Sequence, residues 1–203
     1  MSIELPRGRT GMLVVEMQND LVSPTLVNEP GLRGALARAV LSRRVLEKLP
    51  PVLEACRARG VPVLYLTKER HPAMPTPEHA PIYRKAPDAL ATGTWGAHVV
   101  DELKPAATDV VLPRFTSIDP SYGSELWSVC EHLGLRTLIV AGVSTTLAVE
   151  GTVRAAANRC YRVVVLEDCC ASVPEEWHRF SADNVLPLLA DVVPSREALG
   201  ALR

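Results

Sequence analysis

The sequence lacks any strong bias. Aromatic side chains are few, with two Phe, three Trp and four Tyr in 203 residues. Charges nearly cancel, 22 basic against 23 acidic for a formal net charge of −1, and no five like charges run together. That excludes the electrostatic footprint of a nucleic-acid binder or of a protein held on anionic membranes. No apolar run approaches the ~18 residues of a membrane span, and the opening MSIELPRGRT is polar where a signal peptide would be apolar. There are five cysteines and no C-x-x-C pair, and the neighbours Cys169 and Cys170 cannot easily bridge each other. Zinc ribbons and disulfide scaffolds fall away. Free thiols in a reducing, cytoplasmic setting are expected.

What is present is ordinary globular usage, 47% hydrophobic and 22% charged, which excludes a disordered chain. The length suits one domain over residues 1–203, burying about 70% of the surface of the open chain. Short β-rich runs occur at Met12–Val15, Val61–Leu66, Val110–Leu112, Thr137–Ala141 and Arg162–Leu166, with a weaker one near Asp191–Val193. Between them lie stretches of helical period: Leu36–Ala58 (broken at Pro50–Pro51), Ala97–Leu103, Ser124–Leu133, Thr146–Asn158 and Glu175–Leu189. Runs such as TLIVAG and RVVVLED are apolar on both faces, as strands sandwiched between helices are. The alternation predicts an α/β fold: a doubly wound, mainly parallel six-stranded sheet with helices on both faces, Rossmann-like in layout.

One segment breaks the alternation. Lys68–Gly93 holds five prolines, which excludes a continuous helix, and a loop this long inside one domain usually carries function. In an open parallel sheet the ligand site lies outside the carboxyl ends of the strands. The residues falling there are Glu16 after the first strand, Thr67 and Lys68 after the second and Arg114 after the third. The turn AGVSTTLAV follows the fourth strand, and Glu167–Cys170 follow the fifth.

These same segments carry a resemblance. VVEMQND (14–20), GTWGAHVVDELKP (93–105), DVVLPRFTSI with a following YGSEL, LIVAGVSTTLAVEGTVRAA (138–156) and YRVVVLEDCCAS (161–172) resemble the isochorismatase-like, or cysteine hydrolase, superfamily in order and spacing. The resemblance covers nearly the whole chain. It implies a hydrolase fold, action without a cofactor, and a homo-oligomer (dimer or tetramer). It also implies an aspartate, a lysine and a cysteine at positions filled here by Glu16, Arg114 and Ala148. A non-proline cis peptide is implied at Val143–Ser144, aiming the backbone N–H groups of Val143, Ser144 and Thr145 at a substrate oxygen.

Each replacement has a chemical meaning. Ala148 offers no nucleophilic atom, which removes covalent thiol catalysis at that position. Ser144, Thr145 or Thr146 would need an adjacent base to substitute, and turn or capping hydrogen bonds account for them equally simply. Cys169 or Cys170 could approach from the next strand, although packing is the default for Cys170. Arg114 keeps a charge but cannot give up its proton; it reads either as an anchor for a ligand carboxylate or as the ion-pair partner of Glu16. Glu16 moves a carboxylate outward by about one bond and remains able to act as acid or base, the more so if burial raises its pKa.

Other groups rank lower. His71 and His79 lack the spacing of a metal site, so no metal is expected. His98, His132 and His178 read as surface residues. Five of the aromatics fall between Tyr83 and Trp127, and of these Trp95 and Phe115 are the candidates for a pocket wall. Two functions follow. One is a hydrolase of a small, carboxylate-bearing molecule working without a cysteine nucleophile. The other is a catalytically inactive relative that binds a small molecule or a protein.

Overall fold

Six β-favouring runs line up side by side. In the computed structural model, which describes residues 3–74 and 80–202, they form β1 (Thr10–Val15), β2 (Val63–Lys68), β3 (Val110–Arg114), β4 (Thr137–Val143), β5 (Arg162–Ala171) and β6 (Asp191–Val193). The spatial order is β3-β2-β1-β4-β5-β6 and every pairing is parallel. Chain direction across the sheet reverses between β1 and β4, which is where such sheets bind ligands.

Every residue of β1 and β4 is buried. The period of two sends Met12 and Val14 into one apolar layer and Leu13 and Val15 into the other. After β1 come a single turn, α1 (Asn19–Val22), and then α2 (Gly31–Ser42) and α3 (Val45–Ala58). The remaining helices are α4 (Leu126–His132), α5 (Glu150–Ala157), α6 (Glu175–Phe180) and α7 (Ser195–Ala201). Helices α2, α3 and α7 cover the first layer, and α4 and α5 cover the second. The doubly wound, six-stranded parallel architecture is therefore as predicted. Among the described residues no helix is long and apolar enough to cross a membrane.

Four local expectations fail, each for a physical reason. The break in the long helical stretch falls at Arg43–Arg44, where Arg44 takes a left-handed φ of 56°, and Pro50 and Pro51 lie inside α3. An interior proline costs about 3 kcal/mol, but α3 buries Val45, Leu49, Val52, Leu53 and Cys56 completely or nearly so. Each such side chain contributes about 1.5–3 kcal/mol, which outweighs the lost bonds.

The stretch 97–103 forms two 3-10 turns, Trp95–Ala97 and Asp101–Leu103, instead of a helix. Its backbone is used elsewhere: Val100 N–H donates to the Met17 carbonyl, and the His98 carbonyl accepts from Asn19 N–H. The predicted helix 175–189 stops at Phe180, passes through a wide π turn (Ser181–Val185) and ends in a 3-10 turn containing Pro187. Strand β5 runs on to Ala171 through a bulge, because its pairing with β4 skips from Val140↔Val165 to Gly142↔Cys170.

Candidate functional site

The site is assembled from strand ends. Glu16, directly after β1, adopts a left-handed φ of 51°, uncommon for a residue with a side chain. Its N–H donates to the Leu66 carbonyl at 2.9 Å, and its own carbonyl accepts from Gln18 N–H at 2.8 Å. Gln18, fully buried, then bridges two segments. Its amide donates to the carbonyls of Lys68 (2.8 Å) and Ala97 (2.7 Å) and accepts from Lys68 N–H (2.8 Å). One side chain thus fixes the end of β2 against the loop after β1.

Arg114 closes β3, in register with Lys68 at the end of β2. It is the largest fully buried side chain described, 1% exposed. Its ε N–H donates to the Ser117 carbonyl (3.1 Å) and one terminal nitrogen to Thr67 (3.4 Å). The other terminal nitrogen donates to Ile118 (3.1 Å) and to the carboxylate of Glu16. Of the two roles open to Arg114, this geometry favours the ion pair, because the guanidinium is sunk behind Glu16 and largely spent on the protein itself.

The other wall comes from β4. Gly142 (φ 125°) lies so close to β1 that a Cβ there would sit 2.1 Å from the Val15 carbonyl oxygen, so only glycine lets the two strand ends meet. The Val143–Ser144 peptide is cis. A π turn, Thr145–Val149, then leads into α5.

Between these ends lies a cavity of about 740 Å³, open mouth included, lined by Glu16, Lys68, Arg114, Ser144 and Ala148 together with apolar side chains of α2 and the proline-rich loop. Glu16, Arg114, Ser144 and Ala148 therefore converge as the sequence predicted. Val143 and Thr145 lie behind the wall, both fully buried. Trp95 and Phe115 do not line the cavity. Trp95 is 51% exposed, and Phe115 sits edge-on to His71 with ring centres 6.0 Å apart. The aromatic ring that does line it is Tyr83, on a 3-10 turn (Pro81–Lys85) of the proline-rich loop.

Lys68, after the second strand, also lines the cavity. Its ammonium lies 4.0 Å from the centre of the Tyr83 ring. Burial, opposed by the charge of Glu16 and reinforced by Arg114 and Arg70, brings its pKa down to about 8. The rule that sites gather at carboxyl ends of strands already pointed to this residue.

Among the described residues no cysteine lines the cavity. Cys169 and Cys170 point into opposite apolar layers, and burial raises both thiols, Cys170 to about 12. Neither replaces a nucleophile at Ala148. Among the described residues no three His, Cys, Asp or Glu side chains are placed to hold a metal ion; His79 lies outside those residues.

His178, expected on the surface, is 2% exposed. Its Nδ1 shares a 2.8 Å hydrogen bond with Thr145 Oγ1, and its Nε2 is 3.9 Å from the Glu167 carboxylate. Burial, aided by Arg43 and opposed by Glu175 and Asp183, lowers its pKa to about 4. The unfolded chain binds the proton near its ordinary value of about 6.5, so stability is complete above that pH and falls as pH drops toward 4. Replacing His178 by glutamine is expected to flatten the acid limb of a urea-denaturation series between about pH 6.5 and 4, by about 3 kcal/mol in total. An unchanged slope would mean that the imidazole titrates alike in both states.

A parallel sheet with a cavity at its reversal point, lined by charged and apolar side chains, is the layout in which α/β proteins bind ligands. Comparison narrows the class: residues 10–197 match the Isochorismatase domain family, and the chain belongs to that family. It is 30% identical to the ureidoacrylate amidohydrolase RutB of Methylobacterium radiotolerans, over 98% of this chain and 82% of that protein. It is 28% identical to the RutB of Acinetobacter baylyi, over 91% of this chain and 80% of that protein. Among solved structures, a cysteine hydrolase from Pseudomonas syringae pv. phaseolicola superposes with a TM-score of 0.81 at 22% identity, covering 98% of this chain and 95% of that one. The N-carbamoylsarcosine amidase of Thermoplasma acidophilum gives 0.71 at 26% identity, with 92% and 96% covered.

Proposed function

We propose that this chain hydrolyses a small, carboxylate-bearing molecule without a cysteine nucleophile, with Glu16 as the acid or base. The observation that carries this reading is a carboxylate held on a left-handed residue at the cavity, with no sulfur among the described residues that line it. Non-glycine residues in that conformation persist where the surrounding structure enforces them, and they gather at working sites. Arg114 holds the Glu16 carboxylate in place at the cavity. Ser144 lines the cavity at the opening of the π turn, and the stabilisation of a developing oxyanion is assigned to its N–H and hydroxyl groups. The ureidoacrylate named for the RutB relatives is itself an acrylate, which supports a carboxylic acid as the substrate class. With this reading goes a cytoplasmic homo-oligomer that needs no cofactor or metal.

The alternative is a binding protein that has lost turnover. It is favoured by one observation: Ala148, on the cavity wall, has no atom that could attack a carbonyl.

A panel of ureido and amide carboxylates, vinyl ethers and esters separates the two. Hydrolysis is expected for at least one class. It should be indifferent to iodoacetamide and reduced about a hundredfold or more in kcat by Glu16→Gln, which keeps shape and removes proton transfer. Silence across the panel, or turnover untouched by Glu16→Gln, would sink the catalytic assignment.

A further inference from the structure

We propose that Lys68 is the group that takes the ligand's carboxylate, in the part of the cavity it shares with Tyr83 and the Glu16–Arg114 pair. This deepens the hydrolase reading and rests on it only for the word substrate; as a statement about binding it stands alone.

Among the described residues, four cations, Arg33, Lys68, Arg70 and Arg114, line the cavity against one acid, Glu16. Three of the four are engaged by the protein. Arg114 holds Glu16 and three backbone carbonyls. Arg33 pairs with Glu29 at 2.7 Å and Asp20 at 3.5 Å. Arg70 donates to the carbonyls of Pro87 and Tyr83 in the proline-rich loop. Lys68 differs. Among the described residues its ammonium has no hydrogen bond and no ion pair, only the face of the Tyr83 ring. Its backbone, by contrast, is clamped on both sides by Gln18, so the ammonium is presented from a fixed strand end.

Glu16, already bonded to Arg114, only partly offsets the burial of the Lys68 ammonium, and an added anion would relieve the remaining cost. The surroundings select the anion. Leu21, Leu36, Ile82, Leu90, Ile118 and Leu147 make the rest of the wall apolar, so an inorganic ion would leave most of the space unfilled. A carboxylate on a short apolar or unsaturated body fits both halves. Phosphate is disfavoured because Lys68 offers one compact charge and Arg114 is not free to add its planar fork.

The charged and titratable groups that face Lys68 are Glu16 from the loop after β1, Arg114 from β3, Arg70 beyond β2 and Tyr83 from the loop, with Arg33 of α2 across the cavity. Near neutral pH Lys68 is mainly cationic. Because its pKa is lowered to about 8, it loses its charge as pH rises through that value. Carboxylate affinity should then fall by about a factor of ten for each further pH unit.

The probes are benzoate and its neutral isostere benzamide, titrated calorimetrically into the full chain. Benzoate is expected to bind at least about tenfold tighter than benzamide near neutral pH, and to lose that advantage by about pH 9.5. Lys68→Met should abolish the preference while leaving benzamide binding intact, which also shows that the variant is folded; Lys68→Arg should retain part of it. Acetic anhydride should label Lys68 in the native chain, and benzoate should protect it. The inference is overturned if benzoate does not bind, if it binds no tighter than benzamide, or if Lys68→Met leaves the preference unchanged. None of these measurements needs turnover. A chain that prefers benzoate through Lys68 yet hydrolyses nothing would refute the enzyme reading and keep this one, and the reverse outcome would separate them the other way.

Discussion

Arg114→Met is expected to destabilise the fold by about 3–5 kcal/mol, the range for breaking a buried ion pair by removing one partner. The reasoning is local. The guanidinium is 1% exposed and satisfies the Glu16 carboxylate together with the carbonyls of Thr67, Ser117 and Ile118. Methionine matches the length of the stem but donates nothing. Glu16, whose side chain is 13% exposed, then holds a charge with no bonded cation, and three carbonyls lose a donor. The melting temperature should fall by about 10 °C for a chain of this size. A double-mutant cycle sharpens the test. Glu16→Gln with Arg114→Met removes both charges, so the pair should be less damaging than the sum of the single changes by more than about 1 kcal/mol. Additive effects, or a loss below about 1 kcal/mol for Arg114→Met, would mean that the two side chains do not act as a unit.

The same pair shows what the sequence can and cannot reveal. Strand ends are legible because runs such as TLIVAG are apolar on both faces and stop abruptly at polar residues. Glu16, Arg114 and the turn after β4 are therefore legible as neighbours at the carboxyl ends of the strands. Which side chains face the cavity depended on loop paths that no periodicity encodes. The clustering of aromatics points to Trp95 and Phe115, but Tyr83, on the 3-10 turn Pro81–Lys85, is the ring that lines the wall. Lys68 is legible as a strand-end residue; that its ammonium has no ion pair among the described residues is not, since it depends on where Arg33, Arg70 and Glu16 find partners. The burial of His178 is not legible because α6 has only six residues before the π turn, too few for a helical period to separate an inner from an outer face.

Restoring a thiol to the cavity tests whether its shape still suits covalent hydrolysis. Ala148 lies on the cavity wall, in the turn that leads into α5, so a sulfur on its Cβ would enter the same space as Glu16 and Arg114. The position precedes the N-terminal end of α5, where the peptide dipoles favour a thiolate. A thiol alone is not enough, because an arginine cannot exchange its proton with a nucleophile whereas a lysine can. The glutamate also reaches about one bond too far for the acid that the family resemblance places there. The triple variant Glu16→Asp, Arg114→Lys, Ala148→Cys is therefore expected to hydrolyse ureido or amide carboxylates about a thousandfold faster than the native chain, and to be silenced by iodoacetamide. Ala148→Cys alone should gain little, since groups that act as a unit contribute together or not at all. Lysine at 114 also forfeits carbonyl contacts, so the variant should be assayed well below its melting temperature, with benzoate binding as the check that the cavity survives. A folded, benzoate-binding triple variant with an unreactive thiol would mean that the walls, and not only the three reacting positions, have moved away from amide chemistry.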